Sequence, residues 1–143
     1  MRFYCLEDFK LGFTKLSKKN SYSDLESLTV DFVNGDSDFL KIGVNLNRNN
    51  EQPYVKKRLK GRSGYRIYYY FLIMGDQIFM LYIHPKTGVL GSTNLEEKYR
   101  ADLLKRIKDI IVNKKWEKLY EVFADDDKIS FKKPAKITIP SQK

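Results

Sequence analysis

The amino-acid sequence predicts an α+β fold: an N-terminal helical hairpin packed on a small antiparallel β-sheet, followed by a long C-terminal helix. Three observations carry this expectation. Cys5, Phe9, Phe13 and Leu16, and then Leu25, Leu28 and Phe32, recur at helical spacing. Three later runs, 54–60, 64–73 and 77–84, are dense in Tyr, Ile and Phe and bounded by turn residues. Leu95, Tyr99, Leu103, Ile107, Ile110 and Ile111 then resume helical spacing. Helices that flank one block of strands pack against one face of a sheet.

The elements follow in order. The first helix carries Lys15, Lys18 and Lys19 near its C-terminal end, where positive charge suits the helix dipole. Ser23-Asp24-Leu25-Glu26 fits a capping box that opens the second helix, with Glu26 reaching back to the cap, and Gly35 ends it. Residues 35–53 read as an Asn-, Asp- and Gly-rich connection in which Phe39-Leu40-Lys41-Ile42 can add a short element. Gly61-Arg62-Ser63 closes the first hairpin and Gly75-Asp76 the second. Thr93 and Asn94 offer N-caps to the long helix. Trp116, Leu119, Tyr120 and Phe123 continue an apolar face as a further helix that Asp125-Asp126-Asp127 terminates. Residues 128–143, with Ile129, Phe131, Ile137 and Ile139 among lysines and prolines, read as either a short strand or a loosely held tail.

Length and composition bound the function. The chain of 143 residues suits one domain, and 42% hydrophobic content suffices for a core. One cysteine, Cys5, excludes a disulfide framework, and one histidine, His84, excludes zinc sites of the Cys/His type and two-histidine acid–base chemistry. Residues 1–20 hold no apolar run of signal-peptide length, and no stretch is apolar enough to span a bilayer, so a reduced cytoplasm is the expected compartment.

Charge is concentrated. The formal net charge is +9, and residues 51–70 hold Lys56, Lys57, Arg58, Lys60, Arg62 and Arg66 against Glu51 alone. Tyr54, Tyr65, Tyr68, Tyr69 and Tyr70 lie among them. Bases interleaved with aromatics suit a polyanion with exposed bases, meaning single-stranded nucleic acid. The plainer reading is a solvated basic surface with its tyrosines packed in a sheet.

Hairpin arithmetic sharpens the picture. A three-residue loop at 61–63 sets Lys60 opposite Gly64, Arg58 opposite Arg66 and Lys56 opposite Tyr68, so Lys56, Arg58, Lys60 and Arg66 share a face. Like charges directly opposite one another destabilise a sheet, which gives this face a reason to hold an anion. A two-residue loop at 75–76 sets Arg66 opposite Pro85, with Lys86 just beyond, and sets His84 opposite Ile67 on the other side, as a packed or solvent-facing residue. One bulge would reverse that parity. Tyr69 is then core, while Tyr68 and Tyr70 can stack on bases.

Tyr54-Val55-Lys56-Lys57-Arg58-Leu59-Lys60-Gly61-Arg62-Ser63-Gly64-Tyr65-Arg66-Ile67-Tyr68-Tyr69 resembles the central hairpin of the RelE/HigB-like toxins of bacterial toxin–antitoxin systems. The likeness runs through Ile78–Ile83 into His84-Pro85-Lys86 and covers roughly residues 7–110, giving a toxin-like domain at 1–112 and, at 113–143, a helical extension and basic tail with no counterpart. The resemblance implies a compact endoribonuclease that cuts mRNA on translating ribosomes and is held inactive by a cognate antitoxin protein, without a metal or other cofactor. Carried over, the strand-borne bases match Lys56 and Arg58, with one extra residue allowed in the loop; without it Lys57 replaces Lys56. The Gly-Tyr-Arg arginine matches Arg66, and the base after the last strand matches Lys86. RelE-type members also carry a tyrosine beyond that strand, whereas Thr87-Gly88-Val89-Leu90-Gly91-Ser92-Thr93 has none.

Metal-free RNA cleavage needs a base for the 2′-hydroxyl, a cation for the phosphorane and a proton for the leaving 5′-oxygen. A guanidinium can hold two phosphoryl oxygens, which suits Arg66. A lysine crowded by cations can serve as base, so Lys56 or Lys57 is the candidate, with Arg58 positioning the backbone and Lys86 supplying the proton. Lys57, Lys60, Arg62, Tyr68 and Tyr70 would line the RNA path. The competing reading for Arg66 is a surface pair with Asp76 or Asp102. Two other functions stay open: a ParE-like inhibitor that binds DNA gyrase without catalysis, and a nucleic-acid-binding relative without activity.

Overall fold

A computed structural model describes residues 1–61, 64–87 and 95–139 of the chain. The elements are β1 (Arg2–Leu6), α1 (Glu7–Ser17), α2 (Leu25–Val33), α3 (Ser37–Lys41), β2 (Val44–Asn45), β3 (Tyr54–Arg58), β4 (Arg66–Leu72), β5 (Gln77–His84), α4 (Glu97–Val112), β6 (Leu119–Asp125) and β7 (Lys128–Lys132). The strands form one sheet of seven in the order β2-β3-β4-β5-β1-β6-β7. Its pairs are antiparallel except β1 with β5, which run parallel.

This overturns the expected small antiparallel sheet with helices on one face and a helix at the chain end. The sheet is large and mixed. Helices cover both faces, and the chain continues past α4 into two more strands. Cys5, placed by periodicity at the head of the first helix, lies in β1, which alternates Phe3 and Cys5 toward one core with Tyr4 and Leu6 toward the other. A strand buried on both faces reads as a continuous apolar run, and periodicity alone does not separate it from a buried helix.

The first core joins Phe9 and Phe13 of α1, Leu25 and Phe32 of α2 and Leu40 of α3 to Val55, Ile67, Tyr69, Phe71, Ile78 and Met80 of the sheet. The second joins Leu103, Ile107 and Ile110 of α4 to Tyr54, Tyr68, Tyr70, Phe79 and Leu81. Burying each of those three α4 side chains contributes about 1.5–3 kcal/mol, enough to hold a solvent-exposed helix on the sheet.

The helix expected from Trp116 to Phe123 is a single 3-10 turn, Trp116–Lys118, followed by β6. Aromatic and β-branched residues at helical spacing also fit a strand, and pairing with β1 (Cys5 opposite Tyr120, Phe3 opposite Val122) decides the outcome. The acidic run turns a hairpin instead of ending a helix. Asp125 pairs with Lys128, and Asp126 takes the left-handed φ of 54° that Asp tolerates. Past β7 the tail is pinned: Ile137 is buried in the second core, and Gln77 Nε2 donates to the Thr138 carbonyl at 2.9 Å.

The expected capping box is not made. Asp24, not Ser23, is the residue before α2, and its carboxylate accepts from the Tyr65 hydroxyl at 2.6 Å. Glu26 does not reach back to the cap; its carboxylate accepts from the backbone N–H of Ile129 on β7 at 3.0 Å. The predicted N-caps Thr93 and Asn94 lie outside the described residues. No helix among the described residues is long and apolar enough to cross a membrane.

One polar clasp fixes α4 beside the end of β1. Arg106 donates through Nη1 and Nη2 to the two oxygens of Asp8, at 2.9 and 3.0 Å, and through Nε to Asp102 at 2.8 Å. The Tyr99 hydroxyl donates to the same Asp8 carboxylate. The Arg106 guanidinium holds the Asp8 carboxyl below its ordinary pKa against the opposing effect of burial, with Tyr99 adding to the depression. A depressed carboxylate stabilises the folded state above the unfolded pKa, and that stability disappears as pH falls through the folded value. Asp8→Asn is expected to cost about 1–2 kcal/mol at neutral pH, the clasp being part-exposed and screened. Denaturant melts at pH 6 and pH 3 check this: the variant should lose less stability on acidification than the wild type.

Candidate nucleic-acid interface

The register of the β3–β4 hairpin is the one the arithmetic predicts: Lys56 opposite Tyr68 and Arg58 opposite Arg66. The next pairing is not. A bulge between Tyr68 and Tyr69 sets Arg66 opposite His84 and Ile67 opposite Ile83, so His84 does not face Ile67 and Arg66 does not face Pro85. The turn is also longer than two residues, built from a 3-10 turn at Ile73–Gly75 and Asp76 at a φ of 52°. Lengthening the turn alone preserves parity; the bulge reverses it and brings His84 to the face of Arg66. Both faces of β5 are buried, so its apolar pattern held no signal for parity.

The result is a row Arg58–Arg66–His84 across three strands, on the face that α4 partly covers. Directly opposed side chains in such a row have Cβ atoms about 4.5–5.5 Å apart. Arg66 is half-buried and donates from Nη1 to the Gly64 carbonyl at 2.7 Å. It makes no ion pair among the described residues: Asp102 is taken by Arg106, and Asp76 lies at the far end of β4. Gly64 has a φ of +57°, and a methyl group there would lie 3.6 Å from Lys86 Cβ and 3.8 Å from Arg66 Nη1. Lys86 and Arg66 therefore flank the same turn.

Arg100 joins this group from α4. The Tyr54 hydroxyl donates to the Arg100 carbonyl at 2.9 Å, fixing that turn of helix over β3. Burial, and then the cations Arg66 and Arg100, lower the pKa of Lys56. Sequence reasoning missed Arg100, although its place three and seven residues before Leu103 and Ile107 on the buried stripe could have found it.

His84 is 5% exposed. Its Nδ1 lies 3.0 Å from the Pro85 carbonyl, which can only accept, so Nδ1 carries the proton and Nε2 faces the Tyr68 hydroxyl at 3.5 Å. That hydroxyl accepts from the Leu95 N–H at 3.3 Å, just ahead of α4. Burial lowers the His84 pKa below its ordinary value; the bond to Pro85 opposes this, and Arg66 and Lys56 reinforce it. His84 is thus a neutral ring among cations, holding Tyr68 in place.

Several predicted contacts are corrected. Tyr68 and Tyr70 are both buried; the first stacks on His84 with ring centroids 5.7 Å apart and the second donates to Gln52 Oε1 at 2.8 Å. Neither ring is open to a base. Lys57 points to the opposite face, where Nζ donates to the carbonyls of Phe39 and Ile42 at 2.8 and 2.9 Å and sits 3.9 Å from the Phe39 ring centroid. It ties α3 to the sheet and is not beside Arg66. Lys60 is exposed past the end of β3. Arg62 lies outside the described residues, as do residues 88–93 of the tyrosine-free stretch after β5. A cleft of about 990 Å³, lined by Lys41, Gln52, Val55, Leu72 and Met74 among others, opens at the other end of β3 and β4 and contains none of the basic row.

Chemically, the row with Lys56, Lys86 and Arg100 can hold a phosphodiester backbone and stabilise added negative charge on phosphorus. It also stores repulsion. Arg58→Gln is expected to raise stability by about 0.2–1 kcal/mol by relieving the cross-strand pair with Arg66. Thermal melts with and without sulfate check this, because a bound anion should narrow the gap between variant and wild type.

No known protein family matches this chain, and no curated protein matches its sequence.

Proposed function

We propose that the protein is a toxin of a toxin–antitoxin pair, a metal-independent endoribonuclease that cleaves mRNA on translating ribosomes. The observation that carries this reading is Arg66, set between Arg58 and His84, flanked by Lys86 and near Lys56, with no carboxylate paired to it among the described residues. The resemblance of residues 54–69 to the RelE/HigB-like hairpin supports it as well.

In this mechanism Lys56, whose pKa is lowered by burial and neighbouring cations, takes the proton of a ribose 2′-hydroxyl. The 2′-oxygen attacks phosphorus while Arg66 holds the non-bridging oxygens. The bond to the 5′-oxygen breaks, Lys86 gives that oxygen a proton, and the products are a 2′,3′-cyclic phosphate and a free 5′-hydroxyl. Arg58 and Arg100 hold flanking phosphates. The partners are mRNA, the ribosome and a cognate antitoxin that neutralises this face, all in the cytoplasm.

One observation favours the second reading, a ParE-like inhibitor of DNA gyrase that acts by binding. The Tyr68 hydroxyl is engaged with Leu95 and that of Tyr99 with Asp8, so neither tyrosine is poised as an acid. Cleavage of a defined mRNA with and without translating ribosomes separates the two. Cuts that need ribosomes and fall at least about a hundredfold in Arg66→Ala are expected, in line with the loss of a group that stabilises transition-state charge. Absence of cuts with folded protein would move the assignment to the inhibitor.

A further inference from the structure

Binding single-stranded nucleic acid calls for an aromatic ring open to solvent beside the cations. Six tyrosines belong to the α4 side of the sheet: Tyr4, Tyr54, Tyr68, Tyr70, Tyr82 and Tyr99. Four are buried: Tyr4 at the sheet centre, and Tyr54, Tyr68 and Tyr70, whose hydroxyls are tied to the Arg100 carbonyl, to Leu95 and to Gln52 respectively. Tyr99 is tied to Asp8. Tyr82 differs from the other five. Its ring is partly exposed, and its hydroxyl has no hydrogen bond among the described residues.

Position adds to this. Tyr82 stands opposite Tyr68 and two residues before His84, so it shares the face of the basic row and lies diagonal to Arg66. Such diagonal neighbours are about 7–8 Å apart, within reach of an aromatic side chain. Tyr99 meets the Tyr82 ring at 90° with centroids 5.4 Å apart, and His84 lies 6.2 Å away at a tilt of 41°. The ring is held in place and only partly covered, which suits a low-entropy stacking platform.

We infer that Tyr82 is the base-stacking residue of this interface, receiving an unpaired base whose neighbouring phosphate is held by Arg66. The inference rests on the RNA-binding reading above and specifies where that reading places the base. Recognition is of the face of any unpaired base, with no sequence preference from hydrogen bonding.

The test compares a labelled decamer of uridine with an abasic decamer of the same sugar–phosphate backbone, by fluorescence anisotropy. Wild type should prefer the uridine strand about 5- to 150-fold, the range that one stacked base supplies. Tyr82→Leu should lose that preference and bind both strands alike, with an unchanged salt slope, while Tyr82→Phe keeps it. Arg66→Ala should weaken both strands and reduce the salt slope by about one. Thermal melts show whether each variant is folded. If folded Tyr82→Leu retains the preference, or Tyr82→Phe loses it, the inference is wrong and the RNA-binding reading survives through Arg66. If wild type binds neither strand, that reading fails and this one with it.

Discussion

The N-terminal strand sits in the middle of the sheet, parallel to β5 on one side and antiparallel to β6 on the other. That single insertion places apolar side chains on both faces at the sheet centre, so both faces must be covered. Helices α1 to α3 cover one, and α4 with the pinned tail covers the other. The clasp of Arg106 on Asp8, immediately after β1, secures α4 where this central strand ends. On the α4 side, Arg58 and Arg66 lie near the β3–β4 turn, with Lys86 flanking it.

The legible part of the fold was the part with contrast. In the β3–β4 hairpin, charged and aromatic residues alternate around an unmistakable turn, and the pairing of Arg58 with Arg66 followed from counting. Contrast is missing in β1 and β5, where nearly all residues are buried whichever face they lie on, so strand identity in one and parity in the other are invisible. Residues 116–123 carry apolar groups at a spacing compatible with either helix or strand, and only the presence of β1 as a partner decides between them. The same limits govern the site. Lys56, Arg58, Arg66 and Lys86 were legible as charges; Lys57 was indistinguishable from them until its carbonyl partners on α3 were seen. Tyr68 and Tyr70 were assigned to bases because the number of covered faces was not foreseen.

The interface combines cations with a titratable group kept neutral. A protonated His84 would add a positive charge beside Arg66 and Lys56, with no carboxylate paired to it among the described residues. Burial and those neighbours together hold the ring neutral. Its two nitrogens are instead spent on the Pro85 carbonyl and the Tyr68 hydroxyl, and through Tyr68 the row is linked to the start of α4. Repulsion within the row is thus opposed by hydrogen bonds that run into the second core.

The carboxylate of Glu26 has a consequence beyond helix α2. Strand β7 is the last in the sheet, and an outermost strand offers unpaired amides as a template for a neighbouring molecule. Glu26 occupies the amide of Ile129 from within the same chain, its charge also lies 3.9 Å from Lys128, and exposed lysines bracket the strand at 128 and 132. An incoming strand would have to displace a part-buried carboxylate and approach two ammonium groups at once. Resistance to edge-to-edge aggregation is therefore built into the packing of a helix near the N-terminus against a hairpin near the C-terminus.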